Sequence, residues 1–219
     1  MAIDAIIFDL DGVIVDTVPF HYQATKRVAD ELQVSFTEKD NLHFQGRPRE
    51  DLVQELTKRG NRFYSSDEKA NIGNRKNQYY QELLKGLSEK HIMPGIIPFL
   101  TEVKKASIPI ALASSSSNAR LVLKKLGLTE FFDIIMNPHE LTKGKPDPEI
   151  FTRACDELQA EYHRSAAIED GEAGLAAILQ TPMFSIGVGE ETFLERADWH
   201  IYSSRELSLE TLQDYMSMR

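Results

Sequence analysis

The sequence predicts an α/β fold, a Rossmann-like parallel sheet interrupted once by an inserted helical module. Three observations carry this. Short continuous apolar runs recur along the chain, as expected of strands covered on both faces. Helical patterns separate most of them, which calls for parallel crossovers with helices on both sides of a sheet. One long stretch, from about residue 18 to 90, holds helical patterns and no convincing strand.

The elements follow in order. Ala5-Ile6-Ile7-Phe8 reads as a buried strand ending at Asp9, and Ile108 to Ala113 as a second ending at Ser114. Ile134-Ile135-Met136 is a short third strand. Ala166 to Ile168 ends at Glu169 and Asp170, and Met183 to Ile186 ends at Gly187. Between them, Ala119 to Leu126 places Leu121, Val122, Lys125 and Leu126 at helical spacing, with Gly127 as its stop. Pro148 to Leu158 and Gly171 to Leu179 are similar. Around Trp199 and from Leu207 to Met216, a last strand and helix close the core. Within the insertion the helical patterns are Phe20 to Leu32, Arg49 to Arg59 and Asp67 to Leu84, about four helices in all. Its exits fall near Asp16–Val18 and His91–Gly95, where Met93-Pro94-Gly95 is a turn signal. The expected division is a core of residues 1–15 and 94–219 and a helical cap of residues 16–93.

Composition excludes several functions. With 219 residues, 42% hydrophobic and 27% charged, the chain can bury a core and is not disordered. A net charge of −9 repels phosphate backbones, so no nucleic-acid partner is expected. No apolar run reaches the ~18 residues of a membrane span, and Met1 to Phe8 lacks the pattern of a signal peptide. A soluble cytoplasmic protein is the default. One cysteine, Cys155, makes no internal disulfide and reads as a buried small hydrophobe, and the histidines show no ligand spacing. Gly187-Val188-Gly189 lacks a third glycine and reads as a turn.

Ligands of open parallel sheets bind beyond the C-terminal strand ends. There the sequence delivers Asp9 and Asp11 after strand one, Ser114 to Ser117 after strand two, Lys145 on a later segment, and Glu169-Asp170 after another strand. Singly, each has an ordinary reading: an aspartate as a turn residue, the serines as a helix N-cap, the acidic pair and the lysine as solvated charges. Together they form one chemical set. Clustered carboxylates want a hard divalent cation, and Mg²⁺ fits oxygen ligands. A cation, a lysine and hydroxyls can hold a phosphoryl group while a carboxylate attacks phosphorus. A second carboxylate two residues on can move the proton.

Phe8-Asp9-Leu10-Asp11-Gly12-Val13 with Asp16 and Thr17 resembles the first motif of the haloacid dehalogenase (HAD) superfamily. Ser114, Lys145 and Glu169-Asp170 resemble its second, third and fourth motifs, in order. The resemblance implies the HAD fold with a small helical cap, Asp9 as nucleophile and Asp11 as general acid and base. It also implies Mg²⁺ held by Asp9, the backbone carbonyl of Asp11 and Asp170, with Glu169 in or near the shell. Ser114, Ser115 and Lys145 would bind the transferring phosphoryl group.

A narrower similarity is to the β-phosphoglucomutase family, on His21, Gly46-Arg47-Pro48-Arg49-Glu50, Arg75-Lys76-Asn77, Ala113 to Asn118, Lys145 to Phe151 and Ala167 to Gly174. It implies a monomer interconverting β-D-glucose 1-phosphate and glucose 6-phosphate through an aspartyl-phosphate and β-glucose 1,6-bisphosphate. The alternative is a sugar-phosphate phosphatase on the same site. Arg49 would take the second phosphate, helped by Ser116 and Asn118. Gly46, Lys76 and His21 would complete the substrate set. A solvated helix face remains open for Lys76, and a hinge role for His21. The family commonly reads Lys-Gly-x-Ser-Arg-Glu. Here Gln45 replaces the lysine and Pro48 the serine, removing a charge near the expected substrate entrance, with Arg47 two residues on.

Overall fold

The computed structural model describes residues 3–219, so Met1 and Ala2, where the expected core begins, lie outside the described residues. Six strands form one parallel sheet: β1 (Ala5–Phe8), β2 (Ile110–Leu112), β3 (Ile134–Ile135), β4 (Ser165–Glu169), β5 (Phe184–Val188) and β6 (Trp199–Ile201). Their order is β3-β2-β1-β4-β5-β6, with β1 paired to β2 on one side and β4 on the other (Ile6 opposite Ile110 and Ala166).

Alternation explains why these runs are apolar throughout. Ile6 and Phe8, Ile110 and Leu112, and Ala166 and Ile168 face one hydrophobic cluster. There they meet α5 (Ile96–Lys105), α6 (Ala119–Lys125) and α9 (Leu209–Ser217). Ile7, Ala111 and Ala167 face the other, against α7 (Glu149–Glu157) and α8 (Glu172–Ile178). Smaller strand side chains on that face admit the bulk of Phe151, Ile150 and Ile178. Cys155 is fully buried there, as expected, and its thiol contacts the Ala160 carbonyl.

Some boundaries differ from expectation. β2 begins after Pro109, which has no N–H to give the sheet. β5 runs past Gly187 through Val188 because β6 pairs with both (Gly187 with His200, Val188 with Ile201), so this stretch ends a strand rather than making a turn. In α6 the buried residues are Ala119, Val122 and Leu123, while Leu121 is exposed. α5 follows Gly95 directly and was not predicted; its Pro98 sits in the first turn, where a missing N–H is tolerated.

Between β1 and α5 lie four helices: α1 (Val18–Glu31), α2 (Glu38–Phe44), α3 (Arg49–Arg59) and α4 (Ser66–Leu83). They share a cluster of their own, including Val28, Phe36, Leu52, Leu56, Tyr64 and Ile72. The two connecting segments run side by side, Asp16 N–H donating to the His91 carbonyl at 2.7 Å and Met93 N–H to the Ile14 carbonyl at 2.9 Å. α2 was missed because none of its residues is buried, so it shows no apolar stripe. Its signature is a capping box, in which Thr37 Oγ1 accepts from Asp40 N–H at 3.2 Å and Asp40 accepts from Thr37 N–H at 2.8 Å. Thr37→Ala is expected to cost about 1 kcal/mol, read as a lowered urea midpoint with an unchanged m-value.

Candidate active site

β1 and β4 are neighbours whose connections leave in opposite directions, which opens a crevice at their C-terminal ends. Asp9 follows β1 and Asp170 follows β4 at that crevice. Lys145 reaches the same place from the loop before α7, its side chain crossing the Phe151 ring with Nζ 4.9 Å from the centroid. Gln180 holds the loop by donating to the Pro146 carbonyl at 2.7 Å. Lys145 is 1% exposed, and its Nζ lies 2.6 Å from Asp9 Oδ1 and 2.5 Å from Glu169 Oε1. The other oxygen of Glu169 accepts the Asp170 and Gly171 N–H groups at 3.0 and 2.9 Å.

Two glycines make room for these carboxylates. A Cβ on Gly174 would stand 1.7 Å from Glu169 Oε1 and 2.0 Å from its carboxyl carbon. A Cβ on Gly12, whose φ is +95°, would stand 1.6 Å from Asp170 Oδ2. The Asp-x-x-Gly and Glu-Asp-Gly-x-x-Gly spacings are therefore packing requirements of the site itself.

Asp9, Glu169 and Asp170 bring carboxylate oxygens within 4.8 Å of one another. The one ammonium between Asp9 and Glu169 leaves the set short of positive charge. Burial pushes the Asp9 carboxyl up to about 8, with Glu169 and Asp11 adding and Lys145 opposing. Asp170 is raised well above the usual range by burial and then by Glu169 and Asp9. Burial would lower Lys145, but Asp9 and Glu169 outweigh it and hold the ammonium charged. A buried all-oxygen set with excess negative charge fits a hard divalent cation, bound by Asp9, Asp170 and Glu169. The Asp11 side chain is not in this cluster.

Asp11 instead turns toward the helical insertion. Its Oδ1 accepts from Thr17 Oγ1, from Tyr80 Oη at 3.2 Å, and meets His21 Nε2 at 3.2 Å. Burial would raise its carboxyl, but His21, Thr17 and Tyr80 together bring it below the ordinary value. His21 stacks on Tyr80 with centroids 4.0 Å apart, and its Nδ1 lies 2.8 Å from Lys76 Nζ. Burial, then Arg49, lowers Lys76 to about 8, against the pull of Asp11. Burial and Lys76 likewise lower His21.

The insertion also meets the loop after β2. Arg49 donates to Ser117 Oγ at 2.7 Å and to Asn77 Oδ1 at 3.3 Å. Asn118 donates to Asn77 Oδ1 at 2.8 Å and accepts from Gln81 at 2.9 Å. Ser115 Oγ donates to the Gly46 carbonyl at 2.6 Å, and Gln45 donates to Asp170 Oδ2. Together these residues close one cavity, lined by Asp9 and Asp11 and also by His21, Arg49 and Lys76.

The structure places Asp9, Asp11, His21, Gly46, Arg49, Lys76, Ser114 to Ser116 and Asn118 on the lining of this cavity, with Lys145, Glu169 and Asp170 clustered beside Asp9, and differs from the sequence reading in detail. Ser114 to Ser117 are not the N-cap of α6: Asn118 occupies that position, without a side-chain cap bond, and Ser114 Oγ and Ser116 Oγ accept from the Ser116 and Asn118 N–H groups within the loop. Ser117, rather than Ser116, meets Arg49. Arg75 leaves the site and pairs with Glu31 at 3.5 Å, because it sits on another face of α4. Tyr80 and Gln81 were not foreseen. Their signal is i, i+4 spacing from Lys76 and Asn77: Tyr80 lines the cavity with Lys76, and Gln81, one turn after Asn77, reaches Asn118 at the cavity's rim.

The haloacid dehalogenase-like hydrolase model matches residues 3–180. The chain belongs to that family. It is 39% identical over 212 residues, covering 96% of this chain and 94% of the relative, to β-phosphoglucomutase of Bacillus subtilis (strain 168). It is 30% identical over 177 residues, 80% of this chain and 79% of the relative, to the phosphorylated carbohydrates phosphatase of Thermotoga maritima. Among solved structures, β-phosphoglucomutase from Clostridium difficile superposes with a TM-score of 0.93 at 36% identity, covering 99% of this chain and 98% of that one.

Two tests follow from this site. A carboxyl whose folded-state pKa stands above its unfolded value holds its proton more tightly when folded. The metal-free protein should therefore lose Asp9-linked stability as pH rises from about 4 toward 8. A divalent cation must displace that proton. The rise in Tm on adding the cation should be small at pH 5 and grow toward pH 8, measured by thermal melts with and without chelator; a pH-independent rise would contradict the charge balance described. Gly174→Ala should cost about 1–3 kcal/mol in a denaturant melt by driving Glu169 off Lys145, and should shrink the cation-induced rise in Tm.

Proposed function

We propose that the protein is a Mg²⁺-dependent β-phosphoglucomutase, interconverting β-D-glucose 1-phosphate and glucose 6-phosphate by way of an aspartyl-phosphate at Asp9 and β-glucose 1,6-bisphosphate. The observation that carries this is the charge layout of one cavity. Asp9 lies at one place in its lining, while Arg49 and Lys76 line it from the helical insertion and, among the described residues, neither makes a salt bridge to a carboxylate. Such a chamber suits a ligand that carries a second anion besides the phosphoryl group being transferred. The relationship to β-phosphoglucomutase over nearly the full length supports the same reading.

In this mechanism the substrate hydroxyl attacks the phosphorus of phosphorylated Asp9. Its proton passes to Asp11, which its neighbours keep ionised and ready as a base. The bond to Asp9 breaks and the bisphosphate forms. After the sugar turns over, Asp9 attacks the other phosphorus, the bond to the sugar oxygen breaks, and Asp11 returns the proton. Asp9, Asp170, Glu169 and the Asp11 carbonyl would hold Mg²⁺, which would supply charge that lets an anionic nucleophile approach an anionic phosphoryl group. Lys145, Ser114 and Ser115 hold the phosphoryl oxygens, while Arg49, Ser116, Asn118, Gly46, His21 and Lys76 hold the sugar and its remaining phosphate. Residues 16–93 act as a cap on the core of residues 1–15 and 94–219. Closure of that cap brings Asp11 into line and keeps water from the aspartyl-phosphate. We assign the protein to the cytoplasm, as a monomer working in carbohydrate metabolism.

The test is ³¹P NMR of β-glucose 1-phosphate with Mg²⁺ and a trace of the 1,6-bisphosphate. Glucose 6-phosphate should accumulate without inorganic phosphate, and Asp9→Asn should reduce turnover at least ~10³-fold, since an amide cannot replace the attacking carboxylate. Inorganic phosphate as the sole product would make the protein a phosphatase instead.

A further inference from the structure

Arg47 lies outside every contact described above. It lines the chamber next to Arg49 and Pro48, and it also borders a neighbouring open groove beside His43, Asp51 and Lys58. Among the described residues, its Nε is the one buried side-chain nitrogen or oxygen atom with no hydrogen-bond partner. It makes no salt bridge with any of them. A buried guanidinium donor left unmatched is costly and points to an acceptor supplied from outside the chain. The chamber offers reason for an anionic one, because Arg49 and Lys76 line it as well and, among the described residues, neither makes a salt bridge: their hydrogen-bond partners are Ser117, Asn77 and His21.

Two residues earlier, Gln45 is engaged elsewhere, donating to Asp170 at the carboxylate cluster. Position 45 therefore offers the ligand no positive charge, and the loop between α2 and α3 supplies its cations from positions 47 and 49.

We propose that Arg47 is a specificity-determining residue that binds the phosphate not being transferred, at the mouth of the chamber and beside Arg49. A planar guanidinium can grip two phosphate oxygens at once, and its position between chamber and groove lets it engage the anion as the sugar enters and after it turns over. This rests on the mutase reading above.

The experiment measures glucose 6-phosphate formation from β-glucose 1-phosphate, with Mg²⁺ and a trace of the bisphosphate, for the wild-type protein, Arg47→Met and Arg47→Lys. Methionine keeps the apolar stem and removes the charge. Arg47→Met should raise KM about tenfold or more while lowering kcat less than threefold, and Arg47→Lys should fall between it and wild type. The KM of the wild-type protein should also climb more steeply with added salt than that of Arg47→Met, since one fewer cation is left to screen. An unchanged KM in Arg47→Met would overturn the assignment and leave the mutase reading intact. So would a raised KM with the same salt slope and a lowered Tm, which is the pattern of a merely structural arginine. Failure of the wild-type protein to form any glucose 6-phosphate would remove the mutase reading and this assignment with it.

Discussion

A single buried ammonium organises the site. Lys145 stands between Asp9 and Glu169, and without it two carboxylates at the ends of adjacent strands would face each other in a desolvated crevice. Removing one partner of a buried charge set is far more costly than the set is stabilising, so the ion pairs fix where the three side chains stand more than they stabilise the fold. The rest of the core follows from it. Phe151 packs under the lysine stem, Gln180 pins its loop, and Gly174 yields the space that Glu169 fills. Asp9 and Asp170, held toward their protonated forms by burial, are the carboxyls whose charge a divalent cation would call out and balance.

The second carboxylate of the first motif obeys a different constraint. Asp11 sits two residues beyond Asp9, yet its partners Thr17, His21 and Tyr80 lie at or beyond the start of α1 and on α4. Asp11 is thus aligned by the helical insertion, whereas Asp9 is aligned by the core. A group positioned this way is correctly placed only when the two parts meet. On the proposed mechanism, that dependence would favour a sugar hydroxyl, which fills the chamber and completes the contacts, over a water molecule that does neither.

How much of this was readable in the sequence depended on whether a residue's role left a local pattern. The strands were legible because both faces of the sheet are covered and the runs are apolar throughout. The ledge was legible because parallel topology puts strand ends together, so Asp9, Ser114, Lys145 and Asp170 needed no distance to be grouped. α2 left no such trace: with no buried residue, its existence rests on two hydrogen bonds at Thr37 and Asp40. The serine loop misled because a run of N-cap residues before a helix looks like a cap, while here the hydroxyls bond within the loop and to the insertion. The partners of Asp11 were hidden for another reason. Tyr80 lies 69 residues away in sequence, and only the packing of α4 on α1 brings it there.

The contacts between insertion and core are unevenly distributed, and this bears on how the chamber works. Near the two connecting segments they are apolar: Tyr80, Leu84 and Leu87 join the main hydrophobic cluster, with Phe20 packed against it. At the opposite edge they are hydrogen bonds among small polar groups, Ser115 to Gly46, Asn118 to Asn77 and Gln81, Arg49 to Ser117. Each such bond contributes only about 0.5–1.5 kcal/mol net, because water replaces it readily. Apolar burial has no such substitute in water. The edge beside the connecting segments is therefore held the more firmly, and the edge carrying Gly46 and Arg49 the less. On the proposed mechanism, a bisphosphate that must leave its first pose and re-enter in the second would exploit this asymmetry, the less firmly held edge being the one where Arg47 and Arg49 line the chamber.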